Sequence, residues 1–180
     1  QARLQLEQAL PFLRSNRILV YDTDQGNFND YIDYFKDSSL EISFANPSDI
    51  AKTCNYIITA TPAKSPLLKV DSILPGTHIT AVGSDTPEKQ ELDSAILERA
   101  DIVVADSIAQ CETRGEIFHA LNQRFIMKDK ISELGKILAG EQPGRSSDRQ
   151  ITIADLTGVA VQDIQIAKAV FNQYKKEAVL

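Results

Sequence analysis

The sequence predicts an α/β protein whose core is a doubly wound parallel sheet, and two observations lead to this fold class. Short runs rich in isoleucine and valine recur along the chain, as in strands that are buried on both faces. Segments with helical periodicity separate these runs, as in βαβ units. Because βαβ crossovers are right-handed, few other topologies remain. A chain of 180 residues, 43% of them hydrophobic, is long enough for one such domain.

Six segments have the composition of strands. In chain order they are residues 17–22, 40–45, 56–61, 78–82, 102–106 and 151–156. The first and fifth are continuous apolar runs, whereas the second alternates polar and apolar residues. Pro62 closes the third strand and Gly83 ends the fourth, because neither residue favours continued strand pairing.

Helical segments lie between the predicted strands. They are residues 1–14, 27–37, 46–52, 92–98, 107–114, 115–123, 131–139 and 159–175. The first carries Leu4, Ala9, Leu10 and Leu13 on one side, and Asn46 or Ser48 caps the third. Residues 140–149 are polar and rich in turn formers, which predicts a loop.

The composition argues against several classes of protein. The formal net charge is −6, and an acidic surface repels phosphate backbones, so we expect no nucleic-acid partner. No apolar run approaches the length of a transmembrane helix, so we expect no membrane partner. Cys54 and Cys111 have no second cysteine or histidine at metal-ligand spacing. Sparse cysteines fit a reducing compartment, and we expect a cytoplasmic protein without a metal.

Asp22 ends the first predicted strand, where ligands bind in doubly wound sheets. In dinucleotide-binding folds an acidic residue at this place accepts hydrogen bonds from the adenosine ribose, and its charge repels the extra phosphate of NADP. Asp22 therefore indicates a preference for NAD. The alternative is an aspartate that only starts a turn, since Asp-Thr-Asp-Gln-Gly is also good turn chemistry.

Other polar residues follow the later strands. Asp85 comes after Gly83 and is placed to project into the ligand crevice as a proton carrier; the alternative is a turn or helix-cap aspartate. Lys89 is a candidate partner for a phosphate or carboxylate, or an exposed lysine. Thr61 leaves room for a cofactor or simply ends a strand. Asp106 with Ser107 is interpreted as the cap of the next helix.

Several segments together resemble one family. The stretch Gly76-Thr-His-Ile-Thr-Ala-Val-Gly-Ser-Asp-Thr-Pro-Glu-Lys-Gln-Glu-Leu-Asp93 is similar to the surroundings of the catalytic aspartate in the ornithine cyclodeaminase/mu-crystallin family. Val20-Tyr-Asp-Thr-Asp24, Thr59-Ala-Thr-Pro62 and Thr157-Gly-Val-Ala-Val-Gln-Asp163 resemble other segments of that family in the same order. The chain departs from it at Ser84 and Glu88, where glycine is common, and this weakens the case for ornithine as substrate.

The resemblance implies roles for individual residues. Asp85 matches the catalytic carboxylate. The positions that match cofactor contacts are Gln1, Asp22, Thr23, Thr61, Ile79, Thr80, Ala81, Val82 and Lys89. The resemblance further implies a truncated Rossmann-type NAD-binding domain over residues 1–157. It also implies a helix over 158–180 that returns toward an N-terminal substrate and dimerisation domain. In the family that domain and the glycine loop precede this sequence, so we expect a homodimer when full length and an inactive fragment when alone.

The implied activity is NAD-dependent hydride transfer at the α-carbon of a small amino or imino acid, by ornithine-type cyclodeamination or by imino-acid reduction. Two alternatives belong to other classes. One is a non-catalytic small-ligand-binding protein of the mu-crystallin type, which binds NADP and thyroid hormone; Asp22 argues against that NADP mode. The other is a Rossmann-like domain that serves assembly alone.

Overall fold

The computed structural model describes residues 1–177, apart from the side chains of residues 161, 162 and 177. Its strands are β1 (Arg17–Val20), β2 (Glu41–Phe44), β3 (Tyr56–Thr59), β4 (His78–Ala81), β5 (Ile102–Ala105), β6 (Ile131–Glu133) and β7 (Thr152–Asp155). Its α-helices are α1 (Ala2–Ala9), α2 (Gln25–Tyr34), α3 (Pro47–Thr53), α4 (Ser94–Arg99), α5 (Ile108–Cys111), α6 (Gly115–Asn122), α7 (Leu134–Leu138) and α8 (Ala160–Glu177). Within the described range, no helix combines the length and apolarity needed to cross a bilayer.

All six predicted strands are present, and two helix predictions need correction. Residues 131–139 do not form one helix, because Ile131–Glu133 pair with β5 as a strand. Three residues are too few for alternation to show in a sequence. The helix predicted over 1–14 ends at Ala9 and continues as a 3-10 turn, Leu10–Phe12. Pro11 has no N–H to donate, so the α-helical ladder stops there.

The strands form two parallel sheets, which confirms the predicted α/β class. One sheet has five strands in the order β3-β4-β7-β5-β6, and the other pairs β1 with β2. Every recorded pairing is parallel. The inner strands carry side chains that are fully buried, among them Ile79, Val103 and Ile153. The helices α4 and α6 add Ile96 and Ile117 to the same core.

A cavity of about 520 Å³ separates the two sheets. Residues 17–22 line one side of it and residues 56–61 the other, so the cavity follows the full length of β1 and β3. In dinucleotide-binding sheets with strand order 3-2-1-4-5-6, the first strand lies between the second and the fourth. A strand placed in this cavity would join the two sheets into one that begins 3-2-1-4-5, after which β7 stands between β4 and β5.

The central strand β7 gives a direct test of the core. Ile153 is fully buried between β4 and β5, so Ile153→Ala removes packed methyl groups and leaves a cavity. We expect the free energy of unfolding to fall by about 2–5 kcal/mol, measured by urea denaturation. Leu138→Ala is the control, because Leu138 is 79% exposed and its truncation should cost less than about 0.5 kcal/mol. Equal losses in the two variants would contradict this description of the core.

Candidate active site

The carboxyl ends of neighbouring parallel strands meet at one edge of the five-stranded sheet. β3 pairs with β4, and β7 pairs with both β4 and β5. The residues that follow these strands therefore lie side by side. In open α/β sheets ligands bind outside this edge. We take the turns after β3 and β4 as the centre of the candidate site.

The turns after β3 and β4 are packed directly against each other. The Val82 N–H donates to the Thr59 carbonyl at 2.9 Å, which extends the pairing by one residue beyond the strands. A Cβ atom at Gly83 would lie 2.4 Å from the carbonyl oxygen of Thr61. Only glycine allows this approach, which explains in physical terms why the fourth strand ends at a glycine.

Asp85 lies in the turn after β4, and its side chain is 53% exposed. Its Oδ1 accepts a hydrogen bond of 2.6 Å from the Nζ of Lys89, so the structure brings these two predicted site residues together. This hydrogen bond lowers the pKa of Asp85 below its ordinary value. Asp85 is therefore a carboxylate at neutral pH, able to accept a proton or to face a positively charged group.

The same turn is fixed from the other side through the Lys89 backbone. The Ser84 hydroxyl donates to the Lys89 carbonyl at 2.6 Å. The His119 Nε2 lies 2.8 Å from the same oxygen and joins the turn to α6. The positive charge of Arg114 also acts on Asp85 and lowers its pKa further. Hydrogen bonds from Ser84 and His119 therefore hold the turn that carries Asp85 and Lys89, while both side chains reach solvent.

Asp22 and Thr61 line the cavity between the two sheets, whereas Asp85 and Lys89 lie outside it. The Asp22 Oδ1 accepts a hydrogen bond of 2.8 Å from the Asp24 N–H, so this carboxylate does start a turn. Thr59 lines the same cavity, and its buried Oγ1 has no hydrogen-bond partner among the described residues. The cavity therefore presents the Asp22 carboxylate, whereas the Thr59 hydroxyl is enclosed beside it.

The other predicted cofactor contacts occupy several environments. Gln1 and Thr23 are exposed, and Val82 is half-buried at the end of β4. Ile79 and Ala81 are buried within the apolar core. The Thr80 Oγ1 lies 3.1 Å from the Nε2 of His78. Contact between these residues and a cofactor stays a prediction.

Three buried carboxyl groups behind the turns were not identified from the sequence: Glu91, Glu116 and Asp155. Glu116 accepts hydrogen bonds from the backbone N–H groups of Glu91 and Leu92, at 2.8 and 3.0 Å. Asp155 accepts one of 2.8 Å from the Ile117 N–H. Burial raises the pKa of Glu116 to about 7 and raises the pKa of Asp155. In sequence Glu91 belongs to a charged turn, and nothing local to it indicates burial.

Ser107 occupies the N-cap position of α5, as the sequence predicts, but its side chain makes no capping hydrogen bond. The Asp106 carboxylate instead accepts from the Gly158 N–H at 2.8 Å and thereby ties the end of β5 to the segment after β7. It also accepts from the N–H of Ser107 at 2.8 Å. No group of three or more potential metal ligands occurs within residues 1–177.

Parallel strands covered by helices, with polar residues outside their carboxyl ends, form the architecture on which dinucleotide-binding domains are built. The family model of the ornithine cyclodeaminase/mu-crystallin family matches residues 1–178. The chain belongs to this family.

Individual relatives agree with the family assignment. Alanine dehydrogenase from Archaeoglobus fulgidus is 37% identical over 173 residues, which are 96% of this chain and 53% of that protein. An archaeal alanine dehydrogenase dimer with bound NAD superposes with a TM-score of 0.91 at 32% identity, over 98% of this chain and 55% of that one. Δ1-pyrroline-2-carboxylate reductase from Thermococcus litoralis, in complex with NADH and L-proline, gives 0.89 at 27% identity, over 99% and 56%. The chain spans about half the length of the relatives it matches.

The raised pKa of Glu116 predicts a pH dependence of stability. Its folded-state pKa of about 7 lies above the ordinary value of 4.5, so the folded protein keeps a proton that the unfolded chain releases. The free energy of unfolding therefore falls as the pH rises from about 4.5 to about 7, by up to about 3 kcal/mol from this group. Below about pH 4.5 Glu116 is protonated in both the folded and the unfolded state, so it no longer lowers the free energy of unfolding.

We test this with Glu116→Gln, since glutamine has a similar size and does not titrate. Urea unfolding at pH 5, 6 and 7 should show the wild type losing stability relative to the variant as the pH rises. Asp155 stays in both proteins, and because the charge of Glu116 also raises the pKa of Asp155, the difference between the two profiles reports this coupled pair. Parallel pH profiles would contradict the raised pKa.

Proposed function

We propose that the protein carrying this chain is an NAD-dependent enzyme that transfers a hydride to or from the α-carbon of a small amino or imino acid. The observation that carries this proposal is the placement of two aspartates after parallel strands: Asp22 lines the cavity between the two sheets, and Asp85 lies in the turn after β4. The similarity to an NAD-bound alanine dehydrogenase and to a reductase bound to NADH and L-proline supports it.

The residues at the cavity suit a dinucleotide. Asp22 keeps a carboxylate oxygen, Oδ2, that accepts no hydrogen bond from the described residues and can take one from a ribose hydroxyl. Thr61, just after β3, lines the same cavity. We propose Asp22, Thr61 and Lys89 as cofactor contacts, with Gln1, Thr23 and the residues 79–82 as further ones. NAD, when bound, supplies the hydride acceptor or donor.

We propose Asp85 as the catalytic residue. An aspartate of ordinary pKa is already ionised at neutral pH, and the hydrogen bond from Lys89 lowers the pKa of Asp85 further. Its carboxylate can hold the positively charged nitrogen of the substrate and take a proton from it, as general-base chemistry requires. Lys89 can turn from Asp85 to an anionic group of a ligand, since Asp85 is 53% exposed and ion pairs open to solvent are weak. That movement would return the pKa of Asp85 toward its ordinary value and make the carboxylate a better base.

The C-terminal helix suggests how the domain joins the rest of the protein. Along α8 the large apolar side chains are exposed, namely Ile164, Ile166, Val170, Phe171 and Tyr174. Exposed apolar faces of this size mark contact surfaces. We propose that residues 1–157 form the NAD-binding domain and that 158–180 pack against a substrate and dimerisation domain in a homodimer; 178–180 lie outside the described residues. We also propose a cytoplasmic protein, since its two cysteines are free.

Asp85→Asn tests the proposed chemistry in the protein that carries this chain together with the upstream half found in its relatives. Asparagine keeps the shape of aspartate but cannot carry the proton, so kcat should fall by roughly 10²–10⁴-fold while NAD+ binding is retained. Steady-state rates and NAD+ titrations measure the two quantities. Asp129→Asn is the control, because Asp129 is exposed and precedes β6 at the opposite edge of the sheet.

The substrate panel for this test contains alanine, proline, ornithine and cyclic imino acids, so that simple hydride transfer and a lyase-type ring closure are both detectable. Hydride transfer to none of them, with NAD(P) and a small ligand still bound, would contradict the enzyme and favour a binding protein of the mu-crystallin type. Full activity of Asp85→Asn would remove Asp85 from the mechanism.

A further inference from the structure

One buried side chain bridges the two turns of the candidate site. The side chain of Glu91 is fully buried, and each of its carboxylate oxygens accepts one backbone hydrogen bond. Oε1 accepts from the Thr61 N–H at 2.6 Å, in the turn after β3. Oε2 accepts from the Gly83 N–H at 3.1 Å, in the turn after β4. A single rigid group therefore spans the two turns that flank the site.

These two N–H groups have no place in the sheet ladder, which explains why they need a side-chain acceptor. β3 ends at Thr59 and β4 at Ala81, so Thr61 and Gly83 lie beyond the last paired residues. A buried N–H without an acceptor costs about 1–3 kcal/mol. Hydrogen bonds to a carboxylate are shorter and stronger than neutral ones. Glu91 thus holds the backbone N–H groups of Thr61 and Gly83, which lie beyond the last paired residues of β3 and β4.

Glu91 is itself fixed at its backbone. Its N–H donates to Glu116, and its carbonyl accepts from the N–H groups of Leu67 and Leu68 at 2.7 and 3.2 Å. The segment from Gly83 to Glu91 therefore forms a closed loop, whose two ends are joined by the bond from Gly83 to the Glu91 carboxylate. Asp85 and Lys89 both lie on this loop. A shift of the Glu91 carboxylate must move the loop and the turn after β3 together.

The close packing at Gly83 leaves little room for any other arrangement. A Cβ atom there would lie 2.7 Å from the Glu91 carboxyl carbon and 2.5 Å from the Thr61 nitrogen. All three partners of the bridge are thus in mutual contact. The carboxylate fits only because the residue that donates to it has no side chain.

We propose that Glu91 is a positioning residue, which sets the distance between the turns after β3 and β4 and thereby the position of Asp85 against the nicotinamide end of the cofactor. The proposal rests on the NAD-dependent function proposed above. It assigns to Glu91 no contact with substrate or cofactor. Its effect on catalysis passes through the backbone of Thr61 and Gly83.

The test replaces Glu91 by glutamine, which keeps the size but exchanges one carboxylate oxygen for an NH₂ donor. Backbone hydrogen exchange followed by NMR should show the amides of Thr61 and Gly83 protected in the wild type. At least one of them should exchange about tenfold faster in Glu91→Gln, since hydrogen bonds to charged groups are worth about that factor or more. Glu88→Gln is the matched control: the same substitution, in the same loop, at an exposed side chain.

Function is measured on the same variants in the protein that includes the upstream half. We expect Glu91→Gln to bind NAD+ about tenfold more weakly and to lose on the order of 10²-fold in kcat/KM, because small misplacements of reacting groups have effects of that size. The control should match the wild type. A merely structural glutamate would instead lower the melting temperature and leave NAD+ affinity and kcat unchanged in the folded protein, and that result would overturn the proposal.

The remaining outcomes separate the two proposals. If the wild type binds no NAD+, the proposed function fails and the positioning role fails with it, whereas protected amides at Thr61 and Gly83 would still establish the bridge. If those amides exchange freely in the wild type, the bridge does not exist in solution and this inference is overturned, whatever the activity. Amide exchange in the wild type needs no variant, so it tests the bridge even if Glu91→Gln does not fold.

Discussion

The candidate site depends on one interaction, in which a single buried carboxylate accepts hydrogen bonds from two turns that belong to different strands. Parallel strands bring the turns after β3 and β4 to one edge, but strand pairing stops before them. Glu91 continues the connection with hydrogen bonds to Thr61 and Gly83. Glu116 holds Glu91 in turn, and the close approach at Gly83 follows from this packing. Asp85 and Lys89 lie on the loop that this buried group closes, at 2.6 Å from each other.

Local pattern was enough to predict the strands and the fold class, because β-branched runs and turn residues act within a few positions of each other. Prediction from local pattern failed where a strand or a buried side chain depends on contacts with distant parts of the chain. β6 is three residues long and exists through its pairing with β5. Glu91 and Glu116 appear as ordinary surface acids in sequence, and their burial depends on elements far along the chain. Asp22 and Asp85 could be predicted as site residues because their place, after a strand, is itself a local signal; their roles stay predictions.

The predicted site residues divide between the cavity that separates the two sheets and the turn after β4. Asp22 and Thr61 line the cavity between β1 and β3, and Asp85 stands outside it. The solved relatives place NAD or NADH on chains that are nearly twice as long as this one. Under the proposed function, Asp22 and Asp85 would lie toward the two ends of the cofactor.

The most direct test of the account is a crystal structure, with NAD+ bound, of the protein that carries this chain and the upstream half. We predict that the nicotinamide lies beside the Asp85 carboxylate, that the adenosine ribose hydroxyls donate to Asp22, and that Glu91 still accepts from Thr61 and Gly83. A nicotinamide bound away from the turns after β3 and β4, with Asp85 directed into solvent, would contradict the account.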